Sequence, residues 1–286
     1  MNFTTLCSLI TIESKKKSFS ESVDQIQKVI FSLDKQSLIP IITEIGIIPE
    51  YIEYDSKEEK LYTKISDIVL AKCFYEFGLP SSVYKERSNC ADVISHSQIY
   101  NYSLVSDAKA FRLSRTAKNQ KDFKIKSMVD WRGNNDFAVL VCPAYQYPKQ
   151  RSQIYGQAID GNIALFSWEL LSVLLTFGII ETPEINLSGI WSVSSKLIKE
   201  KNYSFISDQN DFIIDYLNID KAKFYDKYEE YHNQTIMRSE QEIKHYERVI
   251  ENIKNYKRKK AVDEVLRITK PQEKINSINK LIMSLR

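Results

Sequence analysis

Asp107 and Lys109 stand two residues apart in the stretch SDAKAFRLSRTAKNQKDFK, residues 106–124. Side chains alternate across a strand, so an acid and an amine at this spacing share one face. The carboxylate can hold a divalent cation, and the amine can orient water or offset charge on a phosphate. A second acid, Asp92, lies fifteen residues earlier in NCADVISHS. Two adjacent strands would bring it to Asp107, with the Ala108 carbonyl between them as a further oxygen donor. Hard cations such as Mg²⁺ favour carboxylate, carbonyl and water oxygens. A metal held there polarises a phosphodiester and acidifies bound water. Asp-x-Lys alone is short and recurs by chance, commonly as a solvated ion pair at a strand end. Three features add weight to it: the upstream Asp92, an apolar strand context, and the basic segment that follows.

That segment is dense. Residues 109–126 hold seven Lys or Arg and a single acid, Asp122, in a chain whose whole net charge is +3. A local field of this kind suits a polyphosphate backbone. The acids would carry the metal and the adjoining cations would carry the polyanion to it. Thr116 through Lys126 is the candidate reading element. Asn119 and Gln120 can pair with adenine, Lys or Arg with guanine, and Asp122 can accept from cytosine N4. We expect Asn119, Lys121 and Asp122 to contribute to base readout. Arg112, Arg115 and Lys118 are expected to touch mainly phosphate. Lys118, Lys121 and Lys124 recur every third residue, which predicts a shared helix face. For each of these side chains a plain solvated helix face is the competing reading.

The elements that must position these residues follow from patterning. Ser18-x-x-Glu21 and Ser56-x-x-Glu59 are capping-box signals. A short helix over 38–45 is expected, with Pro40 in its first turn and Gly46 as its stop. Ile65, Val69, Cys73 and Phe77 form a helical stripe before Gly78 and Pro80. The first eighty residues therefore read as mostly helical. Strands are predicted at Ala91–Ser95, Tyr102–Phe111, Phe137–Cys142 and Ile163–Phe166. FAVLVC is a continuous apolar run and so a buried strand. A basic helix over roughly 117–132, a shorter one near 151–160 and an apolar one at Trp168–Phe177 complete a mixed sheet flanked by helices, an α/β core. Beyond about 205 the chain reads as helical. Lys221–Lys260 carries eleven basic and seven acidic residues, a mixture that favours scaffold over DNA clamp. Ile275, Ile278, Ile282 and Leu285 suggest a terminal helix. We expect a helical N-terminal region (1–55), a catalytic core (56–180) and a mostly helical C-terminal region (181–286).

Bulk composition excludes several classes. The chain has 286 residues, 43% hydrophobic and 27% charged, the profile of an ordinary folded domain. Its four cysteines and three histidines show no metal-finger spacing, so reduced thiols in a cytoplasmic protein are expected. In MNFTTLCSLITIESKKK the charges follow the apolar run, the reverse of a secretory signal. Leu170–Ile180 is apolar but too short to span a bilayer, so no membrane association is expected.

The segments SDAKAFRLSRTAKNQKDFKIK, EEKLYTKISDIVLAKCF, NCADVISHS and SQIYGQAIDGNIALFSWELLSVLL together resemble the HindIII-like type II restriction endonucleases of the PD-(D/E)xK superfamily. The likeness is dense from about Ser56 to Leu175. It implies a PD-(D/E)xK nuclease fold, Mg²⁺-dependent cleavage of duplex DNA, and a homodimer on the palindrome AAGCTT cut to leave a 5′ overhang. A cognate DNA methyltransferase would then share the cell. Asp92, Asp107 and Lys109 match the catalytic pattern, with Ala91 in place of the eponymous proline. Glu86, in KERSNCADV, is either a further metal contact or a surface-loop acid. Nucleases of this class often borrow an acid from a neighbouring helix, which nominates Glu59, although that residue also completes its own capping box. Two alternatives stay open: another nuclease of the same fold acting in repair or junction resolution, and a non-catalytic DNA-binding protein such as a repressor. Intact acids beside phosphate argue against the latter.

Overall fold

The computed structural model describes residues 1–84, 90–114, 120–149, 151–198 and 204–269. Five strands, β1 (Ser81–Val83), β2 (Val93–His96), β3 (Ser103–Ala108), β4 (Phe137–Cys142) and β5 (Ile163–Ser167), form a sheet in chain order. β1, β2 and β3 pair antiparallel, whereas β3, β4 and β5 run parallel. In chain order the helices are α1 (Phe3–Ser14), α2 (Phe19–Phe31), α3 (Lys35–Ile45), α4 (Lys57–Glu76), α5 (Gln120–Phe123), α6 (Ile125–Arg132), α7 (Gln153–Gly161), α8 (Trp168–Thr176), α9 (Ser188–Trp191), α10 (Phe205–Tyr216), α11 (Lys221–Lys254) and α12 (Arg258–Thr269). This is the mixed sheet flanked by helices that the patterning implies.

Both faces of the parallel half are covered, which is why β4 and β5 are apolar throughout. On one face Leu104, Val139, Val141 and Phe166 pack with Ile65, Val69 and Phe74 of α4 and Leu171 of α8. On the other, Val105, Leu140 and Leu165 pack with Phe123, Ile125, Met128 and Tyr155. Val105 and Asp107 are two apart on β3, so α5 and α6 lie on the face to which Asp107 points. α4 is buried from Leu61 to Phe74 on nearly every side, a central rather than a surface helix.

Several elements differ from the sequence expectation. α1 and the three-residue β1 were not anticipated. α3 begins at the Asp34 cap, whose side chain accepts from the Ser37 N–H, so Pro40 lies inside the helix. The basic helix is broken: Lys124 adopts a left-handed φ of 50° between α5 and α6. The break lets both Phe123 (2% exposed) and Ile125 (1%) enter the second core, with Phe123 stacked on Tyr147. Two buried neighbours outweigh the roughly 1–2 kcal/mol cost of a left-handed non-glycine residue. Lys121, in α5, and Lys124 therefore do not share one continuous helix, and Lys118 lies outside the described residues.

The chain falls into two compact units, Met1–Arg238 and Ser239–Arg286. The suggested terminal helix at Ile275–Leu285 lies outside the described residues. The four cysteines form no disulfide. Among the described residues no helix is long and apolar enough to cross a membrane.

Candidate active site

Asp92 enters the sheet just ahead of β2. Its carbonyl accepts from the Tyr84 N–H (2.9 Å), which ties it to the strand end of β1. Its N–H donates to Ser106 O (3.0 Å), although Ser106 stands opposite Val93 in the register. Two residues facing one is the irregularity of a bulge, a device that re-aims a side chain. The Asp92 carboxylate then accepts from the Ala108 N–H through Oδ2 (3.3 Å). Asp92 thus contacts the residues on either side of Asp107, and the two acids meet.

Asp107 is 3% exposed, and the Lys109 ammonium pairs with its Oδ2. That oxygen is buried yet accepts no well-aligned hydrogen bond. Burial raises the Asp92 carboxyl well above the ordinary carboxylate range, and the charges of Asp67 and Asp107 push it further in the same direction. Only the Lys109 cation opposes them. Burial works against the Lys109 ammonium, yet Asp107, Asp92 and Asp67 together carry its pKa above the ordinary lysine value. The site thus sets two crowded acids against the single ammonium of Lys109, with Asp67 and its partner Lys64 behind them. Among the described residues no cluster of three or more His, Cys, Asp or Glu is poised to hold a metal. A metal here would use two carboxylates and the adjoining Ala108 carbonyl, the remainder coming from water or phosphate. The crowding of two buried acids fits a hard divalent cation.

The chain leaving the site is pinned to the segment after α3. The Phe111 N–H donates to Gly46 O (2.9 Å), and the Ile48 N–H donates to Phe111 O (3.1 Å). Ser114 donates to Glu50 through both its N–H and its hydroxyl, each at 2.8 Å. Arg112 donates to Pro49 O and pairs with Glu59 at 2.7 Å, each side chain 14% exposed. Arg112 is thus held by partners within the protein. Glu59, which also accepts from the Asp55 N–H (2.7 Å), is the partner of Arg112. Arg112→Ala is expected to destabilise the fold by about 3 kcal/mol, because it leaves Glu59 poorly solvated and unpaired. The salt slope of DNA binding should stay unchanged, whereas loss of a phosphate contact lowers it by about one. Urea titration and a salt series separate these outcomes.

Asp92, Asp107, Ala108 and Lys109 are brought together. Asp122 and Lys124 lie on the α5–α6 side of the same sheet face, with Lys124 over the Trp131 ring at 5.4 Å. Glu86, Arg115, Lys118 and Asn119 lie outside the described residues, and Lys121 is described only through its place in α5. Sequence reasoning missed Asp67. It is the acid of α4 whose charge reaches Asp92, and it is buried with Lys64, which pairs with it at 3.2 Å and also donates to Tyr84 O. The signal was available, since Asp67 falls within the buried stripe of α4 where an acid needs a reason.

Two buried acids and a lysine at the carboxyl end of a central strand, in a mixed five-stranded sheet flanked by helices, are consistent with the nuclease core of a restriction endonuclease. The sequence matches the model of the HindIII restriction endonuclease family over residues 3–285. It is 38% identical over 275 residues to the type II restriction enzyme HindIII of Haemophilus influenzae, covering 94% of this chain and 92% of that protein. The chain belongs to the HindIII restriction endonuclease family and is a type II site-specific deoxyribonuclease. Enzymes of this class act on double-stranded DNA and generally use a divalent metal.

Proposed function

We propose that this enzyme hydrolyses duplex DNA at AAGCTT, after the first A on each strand, leaving 5′ overhangs, with Mg²⁺ as its metal. The observation that carries the reading is the convergence of Asp92, Asp107 and Lys109 at one buried point. Asp92, Asp107 and the Ala108 carbonyl would hold the ion, and Glu86 is a candidate for an additional contact. When bound, the ion supplies Lewis-acid polarisation of the phosphate and acidifies water. Lys109 stands beside Asp107, where its ammonium can orient a water and offset charge gathering on the phosphate oxygens. Arg115, Lys118 and Lys124 supply the phosphate-seeking field, and Asn119, Lys121 and Asp122 read base edges. A palindromic site calls for a two-fold enzyme, so the working form is a homodimer. A cytoplasmic setting fits, where a cognate methyltransferase protects the host's own sites without forming a stable complex.

The test is digestion of a plasmid of known sequence with Mg²⁺, without metal, and with Ca²⁺. Fragments ending at AAGCTT only in Mg²⁺ support the reading. A smear indicates a general repair-type nuclease, and a gel shift without cutting indicates a binder; either overturns it.

A further inference from the structure

Lys109 sits one residue beyond β3, and its backbone is held in an unusual way. Its N–H donates to Val141 O (2.8 Å), as the parallel ladder between β3 and β4 requires. By the same ladder its carbonyl should accept from the N–H of the residue after Cys142. That residue is Pro143, which has no N–H. The carbonyl instead accepts from Trp168 Nε1 (3.0 Å), at the start of α8. Trp168 is fully buried and wedged between Gly46 and Pro143. A Cβ on Gly46 would lie 2.3 Å from Trp168 Cδ1 and 2.8 Å from Pro143 Cγ, so only glycine leaves the indole its place. Gly46 has an ordinary helical φ of −68°, so close approach rather than left-handed backbone explains this residue.

We infer that Trp168 is a positioning residue for Lys109, its indole N–H standing in for the ladder donor that Pro143 lacks. The inference rests on the reading of Lys109 as the catalytic lysine. The indole fixes the peptide plane after Lys109 and thereby the root of the side chain whose ammonium meets Asp107. Strand pairing ends at this point, so without the indole the partly buried Lys109 carbonyl would lose its partner and the peptide would turn to find one. A displacement of about 1 Å at a catalytic group can cost about 10²-fold in rate.

The molecule contains its own control. Trp191 is equally buried, and its Nε1 donates at 3.0 Å to the Tyr102 hydroxyl, beyond the opposite end of β3. Trp168→Phe and Trp191→Phe each delete one buried indole N–H. A benzothiophene analogue placed at position 168 keeps the ring shape and removes only the donor, which covers the case in which the phenylalanine variant does not fold. The measurements are single-turnover cleavage in saturating Mg²⁺, affinity for an AAGCTT duplex in Ca²⁺, and thermal midpoint. Trp168→Phe and the analogue should lose about tenfold or more in cleavage rate with affinity within about twofold of wild type. Trp191→Phe should lose stability but keep its rate. The inference is overturned if the position-168 variants cleave within about twofold of wild type, or lose no more rate than Trp191→Phe. Failure of the underlying reading shows separately, as full turnover by Lys109→Ala.

Discussion

Asp107→Ala is expected to lose cleavage by at least about 10³-fold, roughly 4 kcal/mol of barrier, while binding DNA in metal-free buffer as tightly as wild type or more so. The carboxylate is buried, crowds Asp92, and is met by the Lys109 ammonium. One lysine shared between two crowded acids leaves a role for the cation that Asp107 would hold. Removing it deletes one of two adjacent negative charges, so DNA phosphate is repelled less. Lys109 does not become a lone buried charge, because Asp92 remains to face it. The variant should therefore fold, and a cleavage defect can be read as chemistry. Residual turnover within about tenfold of wild type, only about 1.4 kcal/mol, would sink the assignment.

Lys109→Ala is expected to slow the reaction by about 10²-fold or more, the usual loss when a charge stabiliser is removed from a transition state. A second effect distinguishes it from a general defect. Burial, Asp67 and Asp107 already hold the Asp92 carboxyl above the ordinary range, and Lys109 is the cation that opposes them. Without it the Asp92 pKa rises further. A carboxyl with a higher pKa stays protonated to higher pH, and only its ionised form serves as an oxygen donor to a cation. The residual rate of Lys109→Ala should therefore keep climbing with pH where wild type has levelled. A pH–rate profile of normal height and shape would show that Lys109 is a bystander.

The legible parts of this molecule are those governed by short-range rules. Ser18 and Ser56 cap helices because a hydroxyl three residues ahead of an N–H reaches it locally. FAVLVC is a buried strand because its own residues say so. Asp107 and Lys109 share a face because strand geometry puts them there. What escaped notice depends on partners distant in sequence. Arg112 reads as a phosphate contact, and its pairing with Glu59, 53 residues away, is invisible in the local sequence. Gly46 reads as a helix stop, and it does cap α3, but nothing local shows that Trp168 also needs its missing side chain. The left-handed Lys124 arises because Phe123 and Ile125 must both reach one core, a demand no helical periodicity displays. Asp92 was visible as an acid, but the bulge that turns it toward Asp107 was not.

The strand order also sets a timetable. Since β1 to β5 lie side by side in the order of synthesis, each strand can dock on the one just made, and no early strand need hold a gap for a later arrival. The β2–β3 pair is local and closes a short loop, so Asp92 and Asp107 can meet early. Trp168 follows β5, the last strand. The bond that fixes the Lys109 peptide must wait until the whole sheet has been made. A nascent chain would thus gather its acids well before its lysine is secured. The lysine is thus secured only once every strand of the sheet is in place.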